Sequence, residues 1–338
     1  MEKLGSYELT GHLTSQNSGY SVWGFGKKNG RDYFIKQFLS PKYPHNDTVS
    51  SPASLEKKKK KCAKFERSKT ALYQMINDNS DGNAVRIEEF FRVESKYYIS
   101  MRKIDSLELT VGEIASMTEE EKRFHCGIIA HAIHGLHKGH VVHADLKHDN
   151  ILFMKSRNGS VTAKVIDFDS GFLETDPPAD GEEIVGDLVY FSPEACLTFM
   201  GEEPELTCKM DIFALGVLFH QYFTGELPDF DPEAGSSAGE AVARGGEIRL
   251  RGSLPEDVHQ LLSRMLRPDH RERPTAAEVY EILMGKPLEE PAAAAEELTV
   301  RVMPVADPTV KPVTSAAEEK KSNAPFDPGK MFFTPGDL

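Results

Sequence analysis

The rhythm of apolar and polar positions changes about a third of the way along the chain. Over about the first 40 residues it is short. SYELTGHL and YSVWGFGKK are strand-like runs separated by the turn-rich TSQNSG. KKNGRDYFIKQF sets an Asn-Gly pair ahead of an aromatic, β-branched run, the mark of a hairpin. Residues 40–54 are polar and rich in Ser, Pro and Asn, so they read as a loop. From about Leu55 to Ile76, the apolar residues Cys62, Phe65, Leu72 and Ile76 fall at helical spacing and predict one long helix. AVRIEEFFRV and SKYYISMRKI predict two further strands, giving five strands and one helix before about residue 105.

Beyond that point the pattern is mostly helical. Thr118, with Glu121 three residues on, opens a predicted helix over 118–139 with the spacing of a capping box. DIFALGVLFHQYFTG is strongly apolar with Gly at its end, and PEDVHQLLSRML and TAAEVYEILMG are amphipathic. From Pro287 the composition shifts. Eight of the 20 prolines fall in the last 52 residues, beside AAAAEE and EEKK runs, so residues 287–338 are expected to form a disordered Pro/Ala/Glu-rich tail.

Of the 338 residues, 39% are hydrophobic and 28% charged, enough to fold one large or two modest domains. Lys plus Arg number 40 against 53 Asp plus Glu, a net charge of −13, which disfavours nucleic acid as the main partner. Cys62, Cys126, Cys196 and Cys208 lie far apart without a CxxC pair, which speaks against a zinc ribbon or a disulfide framework. The N-terminus lacks an apolar signal core and no apolar run approaches membrane length. A cytoplasmic protein without membrane attachment is the expectation.

The strongest chemical signal is VVHADLKHDNILF at 141–153, followed by KVIDFDSG at 164–171. Apolar, strand-like runs bracket each polar cluster and would hold an Asp, a Lys, an Asn and a second Asp at neighbouring strand ends. Phosphoryl transfer from a nucleotide uses such a set. One carboxylate orients the attacking hydroxyl, hard oxygen ligands hold Mg²⁺, and a cation steadies the transferred group.

These motifs resemble those of the protein kinase family, over about residues 7–286. HADLKHDN is similar to the family's HRDLKPEN loop, GDLVYFSPE at 186–194 to its GTxxYxxPE segment, and DIFALG and HRERPT to two structural motifs. The resemblance implies an α+β, two-lobed protein kinase fold: an antiparallel-sheet N-lobe with one long helix, then a mainly helical C-lobe. The kinase domain would span 1–286, with its N-lobe at about 1–101, hinge at about 102–105 and C-lobe at about 106–286.

By the same resemblance, Asp145 is the catalytic base, Lys147 contacts the γ-phosphate, and Asn150 and Asp167 bind the metal. Lys36, in FIK, holds the α- and β-phosphates and pairs with a helix glutamate, assigned to Glu66 in preference to Glu56. Leu13, Ser21, Phe34, Ile104, Leu152 and Ile166 form the adenine pocket, with Met101 at its back. Gly19 is the one glycine left of a phosphate loop whose other two glycine positions are Thr14 and Gln16. The cofactors implied are ATP and Mg²⁺. The partner implied is a protein substrate with Ser or Thr hydroxyls, because Lys147 follows the Ser/Thr pattern. Asp211 is expected to hydrogen-bond the catalytic-loop backbone, and Arg273 to pair with Glu194.

Several positions depart from the family pattern. Ala144 replaces the Arg that usually precedes the catalytic Asp and grips a phosphorylated activation loop, so activity is expected not to need that phosphorylation. Asp169 replaces a hinge glycine, and Asp187 brings a carboxylate that would repel Asp145 or attract Lys147. Ser21 and Phe34 exchange the family's large and small residues, an exchange that conserves pocket volume. Six histidines between His125 and His143 are read as packing groups, because no carboxylate or Cys completes a metal site on their face. Lys57 to Lys61 oppose the helix dipole, so that helix end is expected to fray. The closing FDPGKMFFTPGDL, with three phenylalanines, is a candidate docking motif for a partner. The lone domain is similar to soluble bacterial members of the family. Two other readings stay open at this level: a pseudokinase scaffold that binds nucleotide without transfer, and a small-molecule kinase of the aminoglycoside phosphotransferase type.

Overall fold

The computed structural model describes residues 2–15, 21–44, 51–156, 159, 161–179, 181 and 184–285. Gly19, Gln16 and the segment from residue 287 onward, with its docking motif, lie outside them. The described residues form two compact units. One contains residues up to 63 with Glu88–Lys103; the other contains Lys64–Ile87 with the residues from 104 onward.

The first unit is built on a six-stranded sheet of β1 (Lys3–Leu4), β2 (Tyr7–Leu9), β3 (Ser21–Lys28), β4 (Arg31–Phe38), β5 (Ile87–Val93) and β6 (Lys96–Arg102), in the order β1-β2-β3-β4-β6-β5. The expected hairpin joins β3 to β4. Asn29 and Gly30 both take positive φ, 51° and 73°, as a two-residue turn matching strand twist requires, and Lys28 then pairs with Arg31. Side chains alternate across the sheet. Tyr33 and Ile35 of β4 therefore pack with Leu4, Tyr7, Leu9 and Tyr98 on one face. Within this layer the buried Tyr7 hydroxyl bonds Ser100 at 2.7 Å and donates to Glu89 at 3.0 Å.

Helix α1 (Pro52–Asn79) is longer than predicted at both ends. Ser51 and Pro52 are a helix start and not a loop: the Ser51 hydroxyl accepts the Ser54 N–H at 3.3 Å, and Pro52 occupies the first turn, where its missing N–H costs nothing. At the other end, the Asn77 side chain donates to the Ile87 carbonyl at 2.7 Å and accepts the Ile87 N–H at 2.9 Å. The lysine run, expected to fray, is helical and exposed throughout. With the helix starting at Pro52, Lys57 lies beyond the first turn, where the dipole no longer acts strongly.

The second unit continues with α2 (Val111–Ala115), α3 (Glu119–Lys138), β7 (Val141–Val142), β8 (Ile151–Lys155), β9 (Val161–Val165), β10 (Phe172–Leu173), α4 (Pro193–Phe199), α5 (Lys209–Thr224), β11 (Asp229–Phe230), α6 (Ala238–Ala243), β12 (Ile248–Arg249), α7 (Glu256–Met265) and α8 (Ala276–Met284). Thr118 and Glu121 make both bonds of the predicted capping box at the start of α3. Thr110 and Glu113 do the same for the short α2, which the sequence reading passed over despite identical spacing. Helix α5 is the centre of this unit, buried from Met210 to Phe219 without a break. Among the described residues, no helix is long and apolar enough to cross a membrane.

Two charged groups are buried beside α5. Arg273 forms a bidentate pair with Glu194, at 2.7 and 3.1 Å, and spends its remaining donors on the carbonyls of Arg267, Pro268 and Lys209. Breaking such a pair strands a charge in the interior, so Arg273→Met is expected to lose about 3–5 kcal/mol of stability in denaturant titration. The double variant Arg273→Met/Glu194→Leu should recover much of that loss.

The four cysteines are free and buried. Burial raises the thiols of Cys126, Cys196 and Cys208, that of Cys196 to about 12. A thiolate-directed reagent is expected to leave all four untouched in the folded protein and to modify all four in denaturant. Rapid labelling of the native protein would contradict this packing.

Candidate active site

The loop between β7 and β8 is suspended from one buried carboxylate. Asp211, in the first turn of α5 and 1% exposed, accepts the N–H groups of His143 at 2.9 Å and Ala144 at 3.0 Å. It also accepts Nε2–H of His137 at 3.0 Å. Held this way, Ala144 adopts φ 64°, a left-handed conformation that a non-glycine residue takes at a cost of order 1–3 kcal/mol.

Asp145 follows. Its carboxylate collects three donors: the Asn150 amide at 3.0 Å, the Lys147 ammonium at 3.1 Å and the backbone N–H of Asp187 at 2.9 Å. The Asn150 amide also reaches the Asp145 carbonyl at 2.6 Å, which turns its own carbonyl oxygen away from the pair. Asp145, Lys147 and Asn150 are thus brought together as expected.

His143 connects this loop to the next. The Asp145 N–H donates to Nδ1 at 3.3 Å, so the ring proton sits on Nε2 and donates to the Ile166 carbonyl at 2.9 Å. The Ile166 N–H donates to the Asn150 carbonyl at 3.0 Å. Asp167, the next residue, is therefore tied to the catalytic-loop backbone. It too is left-handed, with φ 64°, while the buried Phe168 ring packs on His143 at 4.9 Å between centroids. Leu152, Ile166 and Ile104, all of this unit, are half-buried.

Two aspartates stand at positions that depart from the family pattern, Asp187 and Asp169. The Asp187 carboxylate does not pair with Lys147, whose ammonium reaches Asp145 at 3.1 Å. It accepts the Val189 N–H at 3.0 Å inside its own turn, while its backbone N–H serves Asp145. Asp169 is not left-handed, so its position does not need a glycine; the strain sits at Asp167 instead. Lys69 of α1 clamps this segment by donating to the carbonyls of Asp169 at 2.6 Å and Gly171 at 3.3 Å. Tyr73, one turn further along α1, has its hydroxyl pushed well up by burial and then by the carboxylates of Asp169 and Asp167.

In the sheet unit, Lys36 is 8% exposed on β4 and opposite Trp23 and Ile99. Phe34 shares its face, with Met101 directly across from Phe34, and Ser21 is buried at the start of β3. Sequence reasoning missed Trp23 and Phe25, although their spacing of two puts both on this face. Trp23 stacks on Phe34 at 5.6 Å and 23°, so the large residue at 34 rests on an aromatic neighbour. Leu13 contradicts the adenine-pocket assignment. It packs with the Tyr7, Leu9 and Ile35 cluster on the opposite face, and a Cβ at Gly24 would come within 2.9 Å of it. Glu66 is half-buried on α1, in the helical unit.

The family model for the protein kinase domain matches residues 51–283, a stretch that contains Asp145, Asn150 and Asp167 and begins after Lys36. An Aurora kinase of Schizosaccharomyces pombe is 26% identical over 265 residues, covering 76% of this chain and 70% of the relative. Calcium-dependent protein kinase 14 of Arabidopsis thaliana is 26% identical over 280 residues, covering 81% of this chain and 50% of the relative. A calcium and calcium/calmodulin-dependent serine/threonine-protein kinase of Lotus japonicus is 31% identical over 157 residues, covering 45% and 28%. With a sheet unit, a helical unit and an aspartate-centred loop suspended from α5, the chain has the two-lobed kinase fold and belongs to the protein kinase family.

Proposed function

We propose that this chain is a Ser/Thr protein kinase that transfers the γ-phosphate of ATP to protein hydroxyls with Mg²⁺. The observation that carries this reading is the Asp145 carboxylate, oriented by three donors and fixed at the end of a strained loop. The acceptor hydroxyl forms a bond to the γ-phosphorus, the bond to the departing ADP oxygen breaks, and Asp145 takes the hydroxyl proton. Lys147, beside Asp145, supplies positive charge to the transferred group. The Asn150 carbonyl oxygen and the Asp167 carboxylate are hard oxygen donors of the kind Mg²⁺ takes, and they fit it. Mg²⁺ would there neutralise charge on the phosphates.

Lys36 is assigned to the α- and β-phosphates with Glu66 as its partner; Ser21, Phe34, Met101, Ile104, Leu152 and Ile166 are assigned to the base. Lys147 and the serine/threonine-protein kinase from Lotus japonicus both favour hydroxyl specificity of the Ser/Thr type. The substrate class is a protein with Ser or Thr hydroxyls.

Labelled ATP, Mg²⁺ and a generic protein substrate test the reading beside Asp145→Asn. The variant is expected to lose roughly 10²–10⁴-fold in transfer while still binding nucleotide, with label on Ser and Thr in the wild type. Nucleotide binding without any transfer, or label on small metabolites alone, would refute it.

A second expectation concerns the activation segment. Ala144 offers no cation for a phosphate, Ser192 is buried as the cap of α4, and Thr175 is exposed. Thr175→Ala should retain activity to within about twofold, and a loss beyond about tenfold would show that a phosphate there is needed.

A further inference from the structure

One donor to Asp145 comes from a segment distant in sequence, and it is a backbone group: the Asp187 N–H at 2.9 Å. Its placement depends on where residues 184–187 run. They pass against the catalytic loop with no room to spare. A Cβ at Gly186 would lie 2.7 Å from the Phe191 ring, 3.1 Å from the Ala144 carbonyl and 3.2 Å from the Asp145 carboxylate. Hydrogen bonds hold the downstream side, since Tyr190 N–H donates to the Asp187 carbonyl at 3.0 Å and Ser192 caps α4.

The upstream side has one long backbone bond, from the Ile184 N–H to the Gly181 carbonyl at 3.3 Å, and is otherwise held by apolar contact. Ile184, 9% exposed, is in one buried cluster with Val142, Phe172, Phe191, Ala195, Cys196, Leu206, Cys208 and Met210, and Ala144 packs against it. Val142 and Phe172 are themselves fixed opposite each other by the β7–β10 pairing. Glu174 borders the cluster, accepting the Cys208 N–H at 2.6 Å.

We propose that Ile184 is a positioning residue, seated in this apolar cluster so that the Asp187 N–H stays on the Asp145 carboxylate. The proposal rests on the phosphoryl-transfer reading of Asp145. An apolar clasp does not titrate and consumes no ATP, so it holds the segment in place without a modification. Ile184 acts through Asp187 on Asp145 and touches no reacting atom.

The test compares Ile184→Ser, Ile184→Ala and Ile184→Val with the wild type by steady-state kinetics and by amide hydrogen exchange over residues 184–190. Displacing an oriented carboxylate is expected to lower kcat about tenfold or more in the Ser and Ala variants while KM for ATP stays within about twofold. Exchange at 184–190 should rise in both, the α5 amides should remain protected, and Ile184→Val should restore both readouts. The Ala variant, which introduces no polar group, carries the test where the Ser variant does not fold. A kcat unchanged within about twofold, or a lower kcat with unaltered exchange at 184–190, overturns the proposal. A wild type that transfers no phosphate would refute the kinase reading instead, and the exchange comparison would still decide whether Ile184 holds the segment.

Discussion

A single buried carboxylate sets the geometry of the catalytic loop. Asp211 is surrounded by the apolar length of α5, where an unpartnered charge would be untenable. It is kept there by three donors, two of them backbone N–H groups of consecutive residues. Two adjacent amides can converge on one carboxylate only if the chain bends sharply, and the left-handed Ala144 is that bend. Asp145 is the next residue. The backbone at Asp145 is therefore anchored in the interior of the helical unit, while Asn150, Lys147 and the Asp187 N–H orient its carboxylate.

His143 extends this control. As a neutral, fully buried imidazole it accepts from one functional loop and donates to the other, so the residues preceding Asp145 and Asp167 share one rigid ring. Asn150 makes a similar double connection through its amide and its carbonyl. Both loops carry a strained residue with positive φ, and strain of this kind persists only where surrounding contacts over-determine the conformation. The clasp around Ile184 belongs to the same design: it fixes a backbone donor by packing.

Much of this was legible in the sequence. Apolar and β-branched runs mark β2 to β6, Asn29-Gly30 marks the hairpin, and Thr118 with Glu121 marks the start of α3, whereas the two-residue β1 is too short to carry a pattern. The Arg273–Glu194 and Asp211 contacts followed from motif resemblance. What escaped has a common physical origin. The Asp187 contribution is a backbone N–H, which any residue supplies, so its side chain was misleading. The face occupied by Leu13 depends on where it packs relative to β3, which its own side chain does not reveal. Ser51-Pro52 reads equally as loop or helix start, because Ser and Pro favour both, and the Ser54 N–H on the Ser51 hydroxyl distinguishes the two. The cost at Asp167 is a dihedral angle, to which composition is blind.

Trp23 is the chain's single tryptophan, and it lies flat against Phe34 on the strand face that also bears Lys36. Intrinsic indole emission is therefore a one-site optical reporter of the sheet unit. Spectral changes on heating, in denaturant or on adding nucleotide register the surroundings of that stack, and the helical unit melts unseen at this wavelength unless the stack is disturbed with it.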